Sequence, residues 1–395
     1  MNGQAEIHNP KSEINRQALR VLLVAEGSGG HLIPAFEVAA VLAAQHVAVL
    51  LLYADRPQTA PLMQELMQEA DRQGIQLSPV PVSRPPAWWP RPLWRCWQAV
   101  RVWRIVRRHL RAFRPDAVAG FGGWFCVPAV LAARVHRLPL LLHEQNVRLG
   151  RANRFLRHHV DQMALSFERT CRELNGTPRV VTGLPIRRTI GTVPREEAAQ
   201  RFGLDPRTPT LVVLGGSQGS RAVNRLVCRM LEGLTEEERA SWQLIHLTGS
   251  ADHAAIGQRY AELGVKGLVM PHTARMAAVY AMADVVIARA GASTIAELAQ
   301  CGTPAVLIPY PHANGHQRDN ARLVESVSGA VWLEEHVATP AQLRLAVRRI
   351  LQDERVRRRM ADQIHTLARP DATQRLVEAI LAMVSERSES NHAQR

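Results

Sequence analysis

Short apolar runs alternate with stretches of helical periodicity from Arg20 to the last quarter of the chain, the pattern of an α/β architecture built on mainly parallel sheets. The first half predicts strands near 20–25, 47–53, 75–82, 117–120, 138–143, 161–165 and 179–182, with helices between them. The rhythm breaks at Thr182-Gly-Leu-Pro-Ile-Arg187 and the loop 192–194. It restarts with a helix over 195–202 and strands near 210–214, 243–248, 267–270, 284–288, 305–309 and 330–332. The expected division is therefore a first Rossmann-like domain over 19–186, a second over 187–369, and a last helix over 370–386 that packs back on the first domain. No repeat of solenoid period is present.

Three of the apolar runs end in glycine-rich turns that lead into helices: Gly27-Ser28-Gly29-Gly30-His31, Gly215-Gly216-Ser217-Gln218-Gly219-Ser220 and Arg289-Ala290-Gly291-Ala292-Ser293-Thr294-Ile295-Ala296-Glu297. A helix that begins straight after a strand and a glycine turn presents unpaired backbone N–H groups and the positive end of its dipole, where a diphosphate can sit. Three such turns suggest two sheets whose carboxyl ends face one cleft. Thr294 stands three residues before Glu297, the spacing of a capping box, so the third helix is expected to start at Thr294 and stop at Cys301-Gly302-Thr303-Pro304. A helix start alone would also explain that pair. A strand and a polar loop follow, bringing His316 and Gln317 back beside the same mouth.

The length of 395 residues suffices for two ordinary domains. The first 18 or so residues are polar and unlike a secretory signal, and no apolar run approaches bilayer-spanning length, so a cytoplasmic location is expected. Five scattered cysteines without a Cys-x-x-Cys pair read as free thiols. The net charge of +14 is carried almost wholly by arginine. Between Asp71 and Asp116 there is no acidic residue, while Arg84, Arg91, Arg95, Arg101, Arg104, Arg107, Arg108, Arg111 and Arg114 crowd together with Trp88, Trp89, Trp94, Trp97 and Trp103. Such an Arg/Trp helix fits an anionic membrane surface, with Trp88, Trp89, Trp94, Trp97, Arg91 and Arg95 as the contact set. Leu93, Trp97, Val100 and Trp103 could instead form a core-facing stripe, and a basic aromatic patch could bind nucleic acid, for which no accompanying motif exists.

Gly27-Ser-Gly-Gly-His31, His143-Glu-Gln-Asn146, Gly215-Gly-Ser-Gln-Gly219 and the segment 289–320 occur in the order seen in the MurG glycosyltransferases, a family that this chain resembles over roughly residues 20–385. The resemblance implies a GT-B fold and inverting transfer of N-acetylglucosamine from its UDP donor to the muramoyl 4-hydroxyl of undecaprenyl-diphospho-muramoylpentapeptide, at the cytoplasmic face of the membrane. It places uridine and ribose against Gly291, Ala292, Ser293, Thr294, Ile295 and Ala296, with Glu297 accepting from ribose hydroxyls. Ser217 and Arg187 would face the donor diphosphate, Asn146 and Gln317 the sugar hydroxyls, and Ser28, Gly29 and Gly30 the sugar and the acceptor diphosphate, with Gly122-Gly123 helping to hold the acceptor. His31 is the expected general base, since a histidine can titrate near neutral pH; it could also be a helix-start residue that only orders its turn. No Asp-x-Asp pair occurs, and neither a metal nor another cofactor is expected. Glu26, Cys126, Leu184 and His272-Thr273 depart from the family pattern. Glu26 replaces a usual glycine, and a carboxylate there would disfavour a bound diphosphate unless it points away. A UDP-N-acetylglucosamine 2-epimerase and a non-catalytic sugar-nucleotide-binding scaffold of a wall-building complex are the competing functions. The Arg/Trp segment speaks against the epimerase, which needs no membrane face, and retention of His31, Glu297 and Gln317 speaks against the scaffold.

Overall fold

The computed structural model describes residues 19–56, 60–83, 90–216, 219–313 and 315–393. All thirteen expected strands form. In the first sheet they are β1 (Arg20–Ala25), β2 (Ala48–Asp55), β3 (Gln76–Pro81), β4 (Ala117–Gly120), β5 (Leu140–Glu144), β6 (Gln162–Leu165) and β7 (Arg179–Val181), in the order β3-β2-β1-β4-β5-β6-β7. The pairs β3–β2, β2–β1, β1–β4 and β4–β5 are parallel. Val21 to Ala25 are wholly buried, as a central strand covered by helices on both faces requires. Pro79 and Pro81 lie in β3, at the sheet edge, where a missing N–H costs no ladder bond.

The second sheet contains β8 (Thr210–Leu214), β9 (Gln243–Leu247), β10 (Gly267–Met270), β11 (Val285–Ala288), β12 (Ala305–Leu307) and β13 (Ala330–Trp332). Its order is β10-β9-β8-β11-β12-β13, with every neighbouring pair parallel. Alternate residues serve opposite cores. Val212, Leu214, Val286 and Ala288 join one apolar cluster, and Leu211, Val213, Val285 and Ile287 join the other.

In each sheet the strand order reverses beside the first strand, between β1 and β4 in one and between β8 and β11 in the other. Loops on the two sides of a reversal diverge, leaving a crevice at the carboxyl ends of the strands. The glycine turns after β1 and β4 flank the first reversal, and those after β8 and β11 flank the second. By compactness, the described residues up to His143, with Ala152–Ala164 and those from Gln374 onward, form one unit, and the described residues of Glu144–Arg151 and Leu165–Thr373 form the other. The last helix, Ala372–Ala393, extends seven residues beyond the expected end at 386.

Candidate active site

At the second reversal, the helix after β11 spans Ala292–Cys301 with Gly291 as its N-cap and no side-chain cap. The capping box expected at Thr294 and Glu297 is not formed. The chain turns within three residues of the end of β11, so the helix is already under way at Thr294, whose hydroxyl can no longer reach forward as a cap. The Ile295 N–H is taken by the Gly291 carbonyl (3.0 Å), and helix geometry leaves the N–H groups of Ala292, Ser293 and Thr294 without acceptors in the helix. Ile295 is fully buried and contributes only its backbone, whereas Ser293, Thr294 and Ala296 are half-buried. The helix stops where expected, at Gly302, with φ at +60°.

Glu297 has a different partner from the one its spacing suggested. The hydroxyl of Tyr280, a buried residue on the helix Met276–Met282, donates to Glu297 Oε2 at 2.8 Å. Burial pushes the Glu297 carboxyl up to about 7, opposed by the Tyr280 hydrogen bond and by the charge of Arg187. Arg187 and Glu297, far apart in sequence, are therefore within electrostatic reach.

The turn after β8 is drawn tight against its surroundings. A side chain on Gly219, where φ is +74°, would stand 2.2 Å from the Thr248 carbonyl oxygen. Ser220 caps the following helix, Arg221–Glu232, by accepting from the Val223 N–H. Ser217 lies outside the described residues. Arg289, 9% exposed, donates to Ser220 Oγ (2.7 Å) and to the Ile308 carbonyl (3.0 Å), pairs with Glu335 and stacks its guanidinium over the Tyr310 ring. One side chain thus laces together the ends of β8, β11 and β12. Sequence reading missed this role, although a basic residue in an otherwise apolar strand end was its signal.

Asn320 was also read only as part of a motif. It is fully buried; its amide donates to Asn146 Oδ1 (3.1 Å) and the Ala290 carbonyl (3.0 Å), and its Oδ1 accepts from the Val147 N–H (3.0 Å). Asn146 Nδ2 in turn donates to Glu144 Oε1 (3.2 Å), and Glu144 also accepts from the backbone N–H groups of Asn146 and Gly150. Asn146 is thus clamped from both ends, with one side-chain N–H and one lone pair uncommitted. Gln317 uses its carbonyl oxygen for the Tyr310 N–H (2.9 Å), which leaves its NH₂ to donate.

At the first reversal, the helix Gly29–Ala44 starts from Ser28, whose carbonyl accepts from the N–H groups of His31 and Leu32. The N–H groups of Gly29 and Gly30 have no acceptor within the helix. His31 Nδ1 lies 2.5 Å from the Phe121 carbonyl oxygen. A carbonyl only accepts, so Nδ1 carries the hydrogen and Nε2 keeps a lone pair for a proton. The Gly122-Gly123 turn folds over this group with φ near +80° at both residues. A side chain on Gly122 would meet the His31 ring at 3.3 Å, and one on Gly123 would strike Glu26.

Glu26 points into that contact. Its carboxylate is buried, paired with Arg56 at 2.5 Å and accepting from the Phe125 N–H at 3.1 Å, so its charge is neutralised next to the turn. Cys126 Sγ donates to the Gly122 carbonyl at 2.9 Å, and burial keeps it a thiol. The other departures also find local roles or burial: Leu184 is buried, and the Thr273 hydroxyl accepts from the Arg275 N–H (3.1 Å).

The Arg/Trp segment forms the helix Arg91–Phe113, which ends at Arg114 in the left-handed conformation. Its inward face is Trp94, Val102, Val106 and Leu110. Trp94 was expected at a membrane, but it is 8% exposed and its indole N–H donates to the Ser83 carbonyl at 3.3 Å; burial with a satisfied polar tip removes it from the contact set. Leu93 (61%), Trp97 (43%) and Val100 (49%) are exposed, which also rules out the core-facing stripe for these three, while Trp103 is half-buried under Arg107. Arg95 and Cys96 are exposed, and Arg101 covers the Trp97 ring. Trp88, Trp89 and the side chain of Arg91 lie outside the described residues. Among the described residues no helix is long and apolar enough to cross a membrane.

The profile of the glycosyltransferase family 28 N-terminal domain matches residues 21–165, and that of the family 28 C-terminal domain matches residues 210–376. The UDP-N-acetylglucosamine–N-acetylmuramyl-(pentapeptide) pyrophosphoryl-undecaprenol N-acetylglucosamine transferase of Desulforamulus reducens is 31% identical over 379 residues, 92% of this chain and 98% of that one. The Desulfotalea psychrophila protein of the same name is 33% identical over 376 residues, 91% and 95% of the two chains. Among solved structures, Acinetobacter baumannii MurG superposes with a TM-score of 0.71 at 28% identity, covering 92% of this chain and 99% of that one. A UDP-GlcNAc 2-epimerase from Neisseria meningitidis reaches a TM-score of 0.68 over 92% of this chain and all of its own, at 11% identity, a likeness of fold alone. With both family 28 domains in place and relatives matched over nine-tenths of its length, the chain belongs to the MurG family of N-acetylglucosamine transferases, on the GT-B fold.

Proposed function

We propose that this chain transfers N-acetylglucosamine from UDP-N-acetylglucosamine to the muramoyl 4-hydroxyl of undecaprenyl-diphospho-muramoylpentapeptide, with inversion at the anomeric carbon. The observation that carries this reading is the match, over nine-tenths of the chain, to transferases named for this donor and acceptor. The second unit binds the donor. Ribose hydroxyls bond to Glu297, and the N–H groups at the start of its helix, together with Arg187, face the diphosphate. Asn146 and Gln317 reach sugar hydroxyls through their remaining donors, and Ser217 adds to the diphosphate contacts. The first unit holds the acceptor at Ser28, Gly29, Gly30 and the Gly122-Gly123 turn.

His31 Nε2 removes the proton of the 4-hydroxyl as its oxygen attacks the anomeric carbon and the bond to UDP breaks. Negative charge then grows on the departing diphosphate, where fixed N–H dipoles and Arg187 stabilise it without reorganising. The exposed face of Leu93, Trp97 and Val100, continued along the same side of the helix by exposed Arg104 and Arg108, rests on the anionic lipid in which the acceptor is anchored, at the cytoplasmic side. Incubation with labelled UDP-N-acetylglucosamine and the lipid-linked muramoyl acceptor yields labelled lipid and free UDP. Release of UDP-N-acetylmannosamine without lipid labelling would replace this reading by the epimerase.

A further inference from the structure

A carboxylate that must grip two adjacent hydroxyls needs more than proximity. Its plane has to be held so that two lone pairs face the diol at once, yet the last torsion of a glutamate is broad and readily turned. At Glu297 this freedom is removed by a residue that neither the motif nor the resemblance assigns. Tyr280 is 2% exposed, its ring is fixed in the apolar cluster under the second sheet, and its single hydroxyl hydrogen is directed at Oε2 over 2.8 Å. That bond pins Oε2 and leaves Oε1 and the second Oε2 lone pair for a ligand.

We propose that Tyr280 is a positioning residue for nucleotide recognition: by donating to Glu297 Oε2 it sets the carboxylate in the orientation that the paired ribose hydroxyls of a nucleoside diphosphate bind. The inference rests on the donor reading of Glu297 given above. The same bond acts on charge. Burial works against ionisation of Glu297, while Tyr280 from the helix Met276–Met282 and Arg187 from the segment before the second sheet favour it; Cys301, one turn beyond Glu297 on its helix, is a thiol that burial, together with the Glu297 charge, pushes up to about 12. His365, from the helix Glu354–His365, is engaged with the Ala299 carbonyl at 3.0 Å. Removing the phenol hydroxyl takes away a bond to the charged form and so moves the carboxyl further up.

UDP binding to the full chain, measured by calorimetry between pH 6 and 8.5, tests this in wild type, Tyr280→Phe, Glu297→Gln and the double variant. Wild-type affinity is expected to rise with pH through about 7. Tyr280→Phe should bind about tenfold more weakly at pH 7, with its midpoint displaced to higher pH. Glu297→Gln should bind weakly, and any slope it retains belongs to the phosphate of UDP. The double variant should be no weaker than Glu297→Gln. Glu297→Asp, which keeps the charge but shortens the reach to Tyr280, should weaken binding like Tyr280→Phe and decides the matter if the phenylalanine protein does not fold. Tyr280→Phe binding equal to wild type at every pH, or a full further loss in the double variant, overturns the proposal. Absence of UDP binding by the wild type would instead remove the donor reading on which it rests.

Discussion

Glu297 and His31 are held by opposite means. His31 gains its tautomer from a backbone carbonyl that can only accept, so the fold decides which ring nitrogen is free. His31→Ala should lower turnover by 10²–10⁴ while leaving UDP affinity unchanged, as read by steady-state rates beside calorimetry. Glu297 is under tension between burial and its partners. Its folded-state value near 7 lies above the ordinary carboxylate range, so the folded protein holds an extra proton between about 4.5 and 7 and loses stability as pH rises through that window. Glu297→Gln should therefore raise stability at pH 8 by on the order of 2 kcal/mol, and change it little at pH 4.5, in denaturant titrations at the two pH values. Glu297 stands out in the sequence through its motif. Its tie to Tyr280 does not, because sixteen intervening residues carry no signal of which buried hydroxyl will meet which carboxylate.

Capping boxes do form in this chain, at Thr235 with Glu238 and at Thr339 with Gln342, where the helix start is exposed and free to choose its cap. At Thr294 the same spacing fails. The strand immediately before it decides where the helix begins, and a local pattern cannot outvote that tertiary constraint. The helix Arg91–Phe113 shows a related limit. Apolar residues at helical spacing announce an amphipathic helix, but this one has two apolar faces, and only coordinates separate Trp94, Val102 and Val106 inside from Leu93, Trp97 and Val100 outside. Changing both Leu93 and Trp97 to Ser should abolish flotation with anionic liposomes while leaving thermal stability within a degree or two, since neither residue is buried. Wild-type flotation should weaken steeply with salt, because arginine contacts to lipid are screened.

At the scale of the molecule, the thirteen strands could be read from apolar periodicity because nine of them are buried along most or all of their length and flanked by glycine or polar turns. Their order in the sheets could not, since periodicity says nothing about which strand lies beside which; that is decided by crossovers spanning dozens of residues. Stabilisation of the departing diphosphate is assigned here to helix starts and arginine, so dialysis against EDTA should leave the transfer rate within about twofold of the untreated enzyme; a larger loss, restored by a divalent cation, would reassign that role.

One further consequence follows from the distribution of thiols. Cys126 and Cys228 are buried and Cys171 and Cys301 half-covered, whereas Cys96 is open to solvent beside Trp97 on the outward face of the Arg/Trp helix. The native protein thus carries a selective handle for maleimide dyes at the very face assigned to lipid. An environment-sensitive fluorophore coupled there would shift to the blue as vesicles are added, reporting adsorption in real time without engineering a single residue.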